Sequence, residues 1–279
     1  MISVKLIGRL GNQLWQYAVC RTIAEKKGYS FHIPRDFLGS NLFECSLGVQ
    51  DDLTNTEYYD AYMCPSILAQ FYNPNIFNIQ DFTKLFGFFQ TERYIADNKV
   101  NIQQWFSLKN INTELLYKLK LDSNVCLINF RGGDYKTFGD AFLGESFWRY
   151  AVAEMKKINS NMQFVVITDD VNEAGIFFPD YPVYHFNVED DFCLISHAKY
   201  LIIANSTFSW WAAWLNKNTI KTIAPKYWFK FNSSEGWWSP AESITKGFLY
   251  MDKEGRLSSS SECIDEFNKR EFSYSKYPY

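Results

Sequence analysis

Asp191-Phe-Cys-Leu-Ile-Ser-His-Ala-Lys-Tyr-Leu-Ile-Ile-Ala-Asn-Ser-Thr-Phe-Ser-Trp-Trp-Ala-Ala-Trp-Leu-Asn216 carries the signals of helix, strand, turn and helix in a single run. Phe192, Ile195, Ala198 and Lys199 fall roughly on one helical face, and Leu201 to Ala204 is an apolar run of buried-strand length. Asn205-Ser206-Thr207 follows, with short polar side chains suited to accept hydrogen bonds from the free N–H groups that open a helix. The helix it opens is almost wholly apolar, with Trp210 and Trp214 one turn apart. A strand ending in hydroxyl and amide groups at a positive helix N-terminus suits an anion, and it suits an ordinary helix cap as well.

Upstream, the same rhythm recurs. Val125 to Phe130 reads as a strand that ends in Arg131-Gly132-Gly133-Asp134-Tyr135, and a polar loop then leads to a helix over Ser146 to Lys157. Gln163 to Thr168 is a strand ending in Asp169-Asp170, Val171 to Ile176 a short helix, and Val183 to Phe186 another strand. Lys221 to Ala224 is a strand stopped by Pro225. Such alternation implies an α/β fold with a parallel sheet covered on both faces and working loops at the carboxyl ends of its strands. Arg131, Asp134, Asp169, Asp170, Asn205 and Ser206 all sit at those ends.

The N-terminus opens another such unit. Ser3 to Gly8 reads as a strand, Arg9 to Gln13 as a turn, Leu14 to Lys27 as a helix ended by Gly28, and Tyr29 to Ile33 as a strand stopped by Pro34. The turn lacks Gly-x-Gly-x-x-Gly, so it gives no support for ordinary dinucleotide binding. Gly8 and Gly11 still let backbone approach a ligand closely, and Asn12 can both donate and accept. Leu38 to Thr56 is turn-rich. Tyr58 to Phe89 is crowded with aromatics and has no clean period, although Ile67 to Tyr72 fits a short helix and Phe86 to Gln90 a strand. Ser107 to Leu121 looks helical. Regular alternation resumes after Leu121-Asp-Ser-Asn, so the expected division is a first domain over 1–122 and a second over 123–279. Beyond Tyr227 the chain is loop-rich, with a return helix expected around Glu262 to Lys269.

Composition narrows the class. The 279 residues are 47% apolar, enough for one large or two ordinary domains, and the net charge of −3 argues against a nucleic-acid partner. Aromatics reach 19%, which fits a bulky core or sugar-stacking surfaces. Cys20, Cys45, Cys64, Cys126, Cys193 and Cys263 are scattered, with no metal-ligand spacing, as expected of reduced thiols in a cytoplasmic protein. No stretch has the length of a transmembrane segment, which leaves peripheral contact at the inner membrane face compatible with the sequence. His185 and His197 read as packing residues.

Three segments in order resemble glycosyltransferase family 11, the α-1,2-fucosyltransferases. Gly8-Arg-Leu-Gly11-Asn12-Gln13-Leu-Trp-Gln-Tyr-Ala is similar to the family's Gly-x-Gly-Asn-Gln opening. Thr168-Asp169-Asp170 resembles its Ser/Thr-Asp-Asp strand end, and Asp191 to Leu215 resembles its most diagnostic block. A fourth motif departs from the pattern. Where the family has His-x-Arg-Arg-Gly-Asp-Tyr, this chain has Asn129-Phe-Arg131-Gly132-Gly133-Asp134-Tyr135.

The resemblance implies a GT-B architecture, two Rossmann-like domains facing across a cleft, with nucleotide sugar on the second and acceptor glycan on the first. It implies an inverting transfer of fucose from GDP-fucose that needs no cofactor and no metal, in the synthesis of bacterial surface polysaccharide (O-antigen), with a lipid-linked acceptor compatible. The donor site expected from the motifs comprises Gly11, Asn12, Arg131, Asp134, Asp169, Asp191, Asn205, Ser206, Thr207, Phe208 and Ser209. Asp191 would accept from guanine. Asp140, in the loop past the Arg motif, is the expected catalytic base, with Glu145 as the other carboxylate in reach. Arg131 is the group to hold the diphosphate, because a guanidinium grips two oxygens at once. Other readings stay open: Arg131 as an ion pair with Asp134, Asp191, Asp169 and Asp170 as helix caps, another nucleotide-sugar donor, or a glycan-binding relative without turnover.

Overall fold

The computed structural model describes residues 1–60, 72–121, 124–139, 141–228, 231–232 and 244–269. The short helix expected at Ile67 to Tyr72 lies almost entirely outside them. Two sheets organise the chain. The first is built from β1 (Ile2–Val4), β2 (Phe31–His32), β3 (Thr56–Tyr59) and β4 (Thr83–Phe86), in the order β2-β1-β4-β3. Every pair in it is parallel. Helix α1 (Leu10–Lys27) follows β1, carries Lys26 and Lys27 in its last turn, and stops at Gly28 in the left-handed conformation. That is the usual way to satisfy terminal carbonyls.

Helices α2 (Lys99–Trp105) and α3 (Thr113–Lys118) connect to the second sheet. Its strands are β5 (Val125–Phe130), β6 (Gln163–Thr168), β7 (Val183–Tyr184), β8 (Tyr200–Ile203), β9 (Lys221–Pro225), β10 (Leu249–Met251) and β11 (Leu257–Ser259). They run in the order β11-β10-β9-β8-β5-β6-β7, parallel except for β11. Strand β5 is buried at all six positions, as a central parallel strand covered on both faces must be. The helices around this sheet are α4 (Glu145–Ile158), α5 (Val171–Phe177), α6 (Val188–His197), α7 (Thr207–Leu215) and α8 (Ser260–Lys269). These are two Rossmann-like units facing each other, the GT-B arrangement.

Sequence reading missed β3, β10 and β11. Strand β3 is an exposed sheet edge, and the other two have three residues each, too few for a period to register. The expected strand over Phe86 to Gln90 lies instead at Thr83–Phe86, and Ser107 to Leu121 is helical only over α3.

The units are joined by an aromatic core. Trp15 of α1 sits 4.2 Å from Trp210 and 4.8 Å from Trp211 of α7, centroid to centroid, and Phe106 meets Trp211 edge-on at 5.4 Å. Trp214 donates its indole N–H to Glu92 at 2.7 Å. The aromatic surplus is therefore spent largely on the core, and on this seam in particular. Helix α3 packs against α6, where Asn112 donates to Asp190 at 2.9 Å. No helix among the described residues is long and apolar enough to cross a membrane.

Candidate active site

Strand order decides where the cleft lies. From β5 the chain runs through β6 to β7 on one side, then returns to lay β8 and β9 on the other. The loops leaving β5 and β8 therefore diverge and open a crevice between them, the usual ligand position in such sheets. Arg131 leaves β5 and Ser206 leaves β8. In the first sheet the equivalent gap falls between β1 and β4, where Gly8 to Asn12 and Gly87 to Gln90 emerge. The two crevices face one another and form a cleft of about 810 Å³.

Arg131 is the centre of its charge network. One guanidinium nitrogen lies 2.7 Å from Asp134 and another 2.5 Å from Asp169, while Nε is buried without a partner among the described residues. The second oxygen of Asp134 lies 3.2 Å from Arg9, which belongs to the first unit. One carboxylate thus holds two arginines from facing walls. Asp169 also accepts from the N–H of Gly132 at 3.0 Å. Asp170 caps α5 by accepting from Glu173, accepts from the Gly133 N–H and pairs with Lys136 at 2.6 Å. Lys136 and those N–H groups hold its pKa below the usual carboxylate range. The adjacent aspartates brace the loop that carries Arg131. Gly132 is closed to a side chain: a Cβ there would stand 2.6 Å from Cβ of Asp170.

Two helix N-termini meet in the same place. Neither Arg9 before α1 nor Ser206 before α7 caps its helix with a side chain, and neither helix has an acidic residue in its first turn. Ser206 holds the cap position in extended conformation without performing the capping that its residue type suggests. Both positive helix ends are left uncompensated by protein carboxylates in their own first turns. Asn12 spans the cleft, its Oδ1 accepting from Thr207 at 3.0 Å and from Gln90 at 2.8 Å.

Asp191 lines the same cleft from within α6. The cap of that helix is Asn187, so Asp191 is not a capping residue. It is 8% exposed, accepts from the Phe186 N–H at 3.3 Å, and has His185 at 3.7 Å. Burial pushes its carboxyl up to about 7, against the pull of that N–H and of His185.

Of the residues expected from sequence, Gly11, Asn12, Arg131, Asp134, Asp169, Asp191, Ser206, Thr207 and Phe208 line this one cleft. Asn205 and Ser209 lie beneath its wall. Asn205 donates to the carbonyls of Ala141 and Trp228, and Ser209 donates to those of Ala204 and Ser206, which shapes the turn before α7. Asp140 lies outside the described residues. Glu145 lines a separate groove between α4 and the segment after α5. Sequence reading passed over Arg9. The available signal was a basic residue inside a glycine turn opposite a second basic motif.

The family model for glycosyltransferase family 11 matches residues 1–238. An α-1,2-colitosyltransferase from Escherichia coli is 28% identical, over 82% of this chain and 93% of its own length. The Escherichia coli O-antigen biosynthesis glycosyltransferase WbnK is 27% identical, over 79% of this chain and 80% of its own. Among solved structures, POFUT1 in complex with GDP-fucose is similar at a TM-score of 0.49 and 11% identity, over 80% of this chain and 96% of that one.

Proposed function

The chain belongs to glycosyltransferase family 11, and from that premise we propose that it transfers fucose from GDP-fucose, with inversion and without a metal, to a hydroxyl of an acceptor glycan. An α-1,2 linkage on a bacterial surface polysaccharide is the product we expect. The observation that carries this reading is the convergence of Arg9 and Arg131 on Asp134 where two uncapped helix N-termini meet.

Loss of a nucleoside diphosphate builds negative charge on the departing phosphate, and a site without a metal must supply fixed donors and cations. Arg131 and Arg9 exchange Asp134 for the diphosphate, and the first turn of α7 adds N–H groups at its positive end. Asp169 keeps Arg131 in place during the exchange. The uracil, adenine and guanine edges differ, and only guanine offers a paired N–H edge to a single carboxylate such as Asp191. The acceptor hydroxyl approaches from the face opposite the phosphate, with Asp140 proposed as the base that takes its proton.

A second donor, the GDP-activated form of colitose, is favoured by Gly132 and Asn129 together with the name of the Escherichia coli α-1,2-colitosyltransferase. Calorimetry with GDP, UDP and ADP, followed by turnover with GDP-fucose and GDP-colitose, tests both. Binding of GDP in preference to UDP and ADP, with faster turnover of GDP-fucose, is the expected outcome. Faster turnover of GDP-colitose replaces the first donor by the second, and preference for UDP overturns both.

A further inference from the structure

Part of the cleft's first-unit wall is one that no motif pointed to. There the first unit contributes the 3-10 turn Leu38–Asn41, and the second unit contributes Val188 and Asp191 to the same cleft. Phe43, just past this turn, meets Phe192 edge-on at 5.2 Å, which places the turn against the part of α6 that carries Asp191. Leu38 and Val188 are 41% and 49% exposed. Aliphatic side chains left in water on both walls of one cleft that a buried carboxylate also lines suit a flat ring that has a polar edge. Asn41 is exposed at the same wall and offers both a donor and an acceptor.

The turn is held in register with the glycine turn that opens α1. Gln13 is 8% exposed; its Oε1 accepts from the Leu38 N–H at 2.9 Å and its Nε2 donates to the Gly8 carbonyl at 3.2 Å. One buried amide therefore fixes the spacing between the glycine turn and Leu38. Phe37 anchors the turn from below, stacked on Tyr17 at 4.9 Å.

We propose that Leu38 and Asn41 form the first unit's half of the nucleobase slot, so that the base lies between Leu38 and Val188 with its N–H edge on Asp191. The inference rests on the GDP-sugar reading and extends it: the first unit, expected from the resemblance to serve the acceptor, also selects the nucleotide. Guanosine is the moiety that Leu38 and Asn41 touch, and the diphosphate is not.

Leu38→Ala and Asn41→Ala change exposed side chains, so both variants are expected to fold, and melting curves check this. Calorimetry with GDP and with guanosine should show each variant weakened by roughly fivefold to tenfold for both ligands. The inhibition constant of inorganic pyrophosphate against GDP-fucose hydrolysis should stay as in the wild type, while the KM for GDP-fucose rises. A cycle with Val188→Ala should show Leu38 and Val188 coupled in guanosine binding and uncoupled in the melting of the free protein. If wild-type protein binds GDP while both variants bind GDP and guanosine as tightly, the slot is wrong and the donor reading stands. If wild-type protein binds no GDP, the donor reading falls and takes the slot with it.

Discussion

Gly11→Ala puts a single methyl group where the two units meet. A Cβ at Gly11 would stand 2.5 Å from the Phe208 nitrogen, 2.5 Å from Thr207 Oγ1 and 2.6 Å from the Thr207 carbonyl carbon. Rotation of the Thr207 side chain relieves one of these, but the other two are backbone. To reach ordinary contact, α1 and α7 must separate by about 1 Å. The same motion stretches the Asn12–Thr207 hydrogen bond from 3.0 Å beyond useful length and loosens the Trp15–Trp210 pair at 4.2 Å. Overpacking costs ~1–3 kcal/mol and the lost bond adds ~1 kcal/mol. The total of ~2–4 kcal/mol corresponds to a fall in Tm of roughly 4–16 °C for a chain of this size. Differential scanning calorimetry measures it, with Gly175→Ala as control. Gly175 lies in α5 with open space around its Cβ position, so alanine there should be neutral or slightly stabilising. GDP affinity of Gly11→Ala should also fall, by tenfold or more, because the α7 N-terminus moves. A Gly11→Ala protein that melts with the wild type and binds GDP unchanged would refute the close packing of the two helix ends.

Arg131→Ala should abolish transfer, with at least ~3 kcal/mol of transition-state stabilisation lost, and Arg131→Lys should also be poor because an ammonium cannot form the fork. Near-normal kcat/KM in either folded variant would make Arg131 a structural ion-pair partner only. For Asp191 the folded pKa of about 7 lies above the unfolded value of about 3.9. The free protein therefore loses stability as pH rises from about 4 to about 7. Guanine N–H groups favour the ionised carboxylate, so guanosine affinity should rise with pH, level off above about 7, and fall by up to roughly tenfold per unit below it. Guanosine titrations check this, since the ligand carries no phosphate; Asp191→Asn should flatten the profile, His185→Gln should keep its shape but move it to higher pH because the pull of His185 is lost, and a flat wild-type profile removes Asp191 from recognition. Asp140→Asn should lower turnover by roughly two to four orders of magnitude with GDP affinity retained, whereas Glu145→Gln, in its separate groove, should turn over normally. Full activity of Asp140→Asn would show that this residue is not the base.

Motifs made most of the cleft legible without coordinates. Arg131, Asp134, Asp169, Asp191, Ser206, Thr207 and Phe208 follow strands or lie in the diagnostic helix, and short polar residues after an apolar run mark such positions in any parallel sheet. Their individual roles were less legible. Asn205 and Ser209 have the residue types of ligand donors, yet their hydrogen bonds go to the carbonyls of Ala141, Trp228, Ala204 and Ser206. Asn12 reads as a ligand contact; it lines the cleft, and its Oδ1 also bridges Gln90 and Thr207. A residue type names the bonds a side chain can make, whereas its neighbours determine which ones it makes.

Alternating apolar runs and glycine turns were enough, by themselves, to determine an α/β chain with its working loops at strand ends, and the block from Asp191 to Leu215 with the two shorter motifs carried the resemblance to family 11. Those signals are local, because periodicity and turn chemistry are set by a few adjacent residues. The order of the strands is not local. Only the tertiary structure places β5 beside β8 and β1 beside β4, which opens the two crevices toward each other. Only packing brings Arg9 to the carboxylate of Asp134, a partner 125 positions away in the chain. The same packing places the aliphatic face of Leu38 in the cleft that Val188 lines. Contacts between distant segments depend on how whole layers bury their apolar faces, which no window of sequence contains.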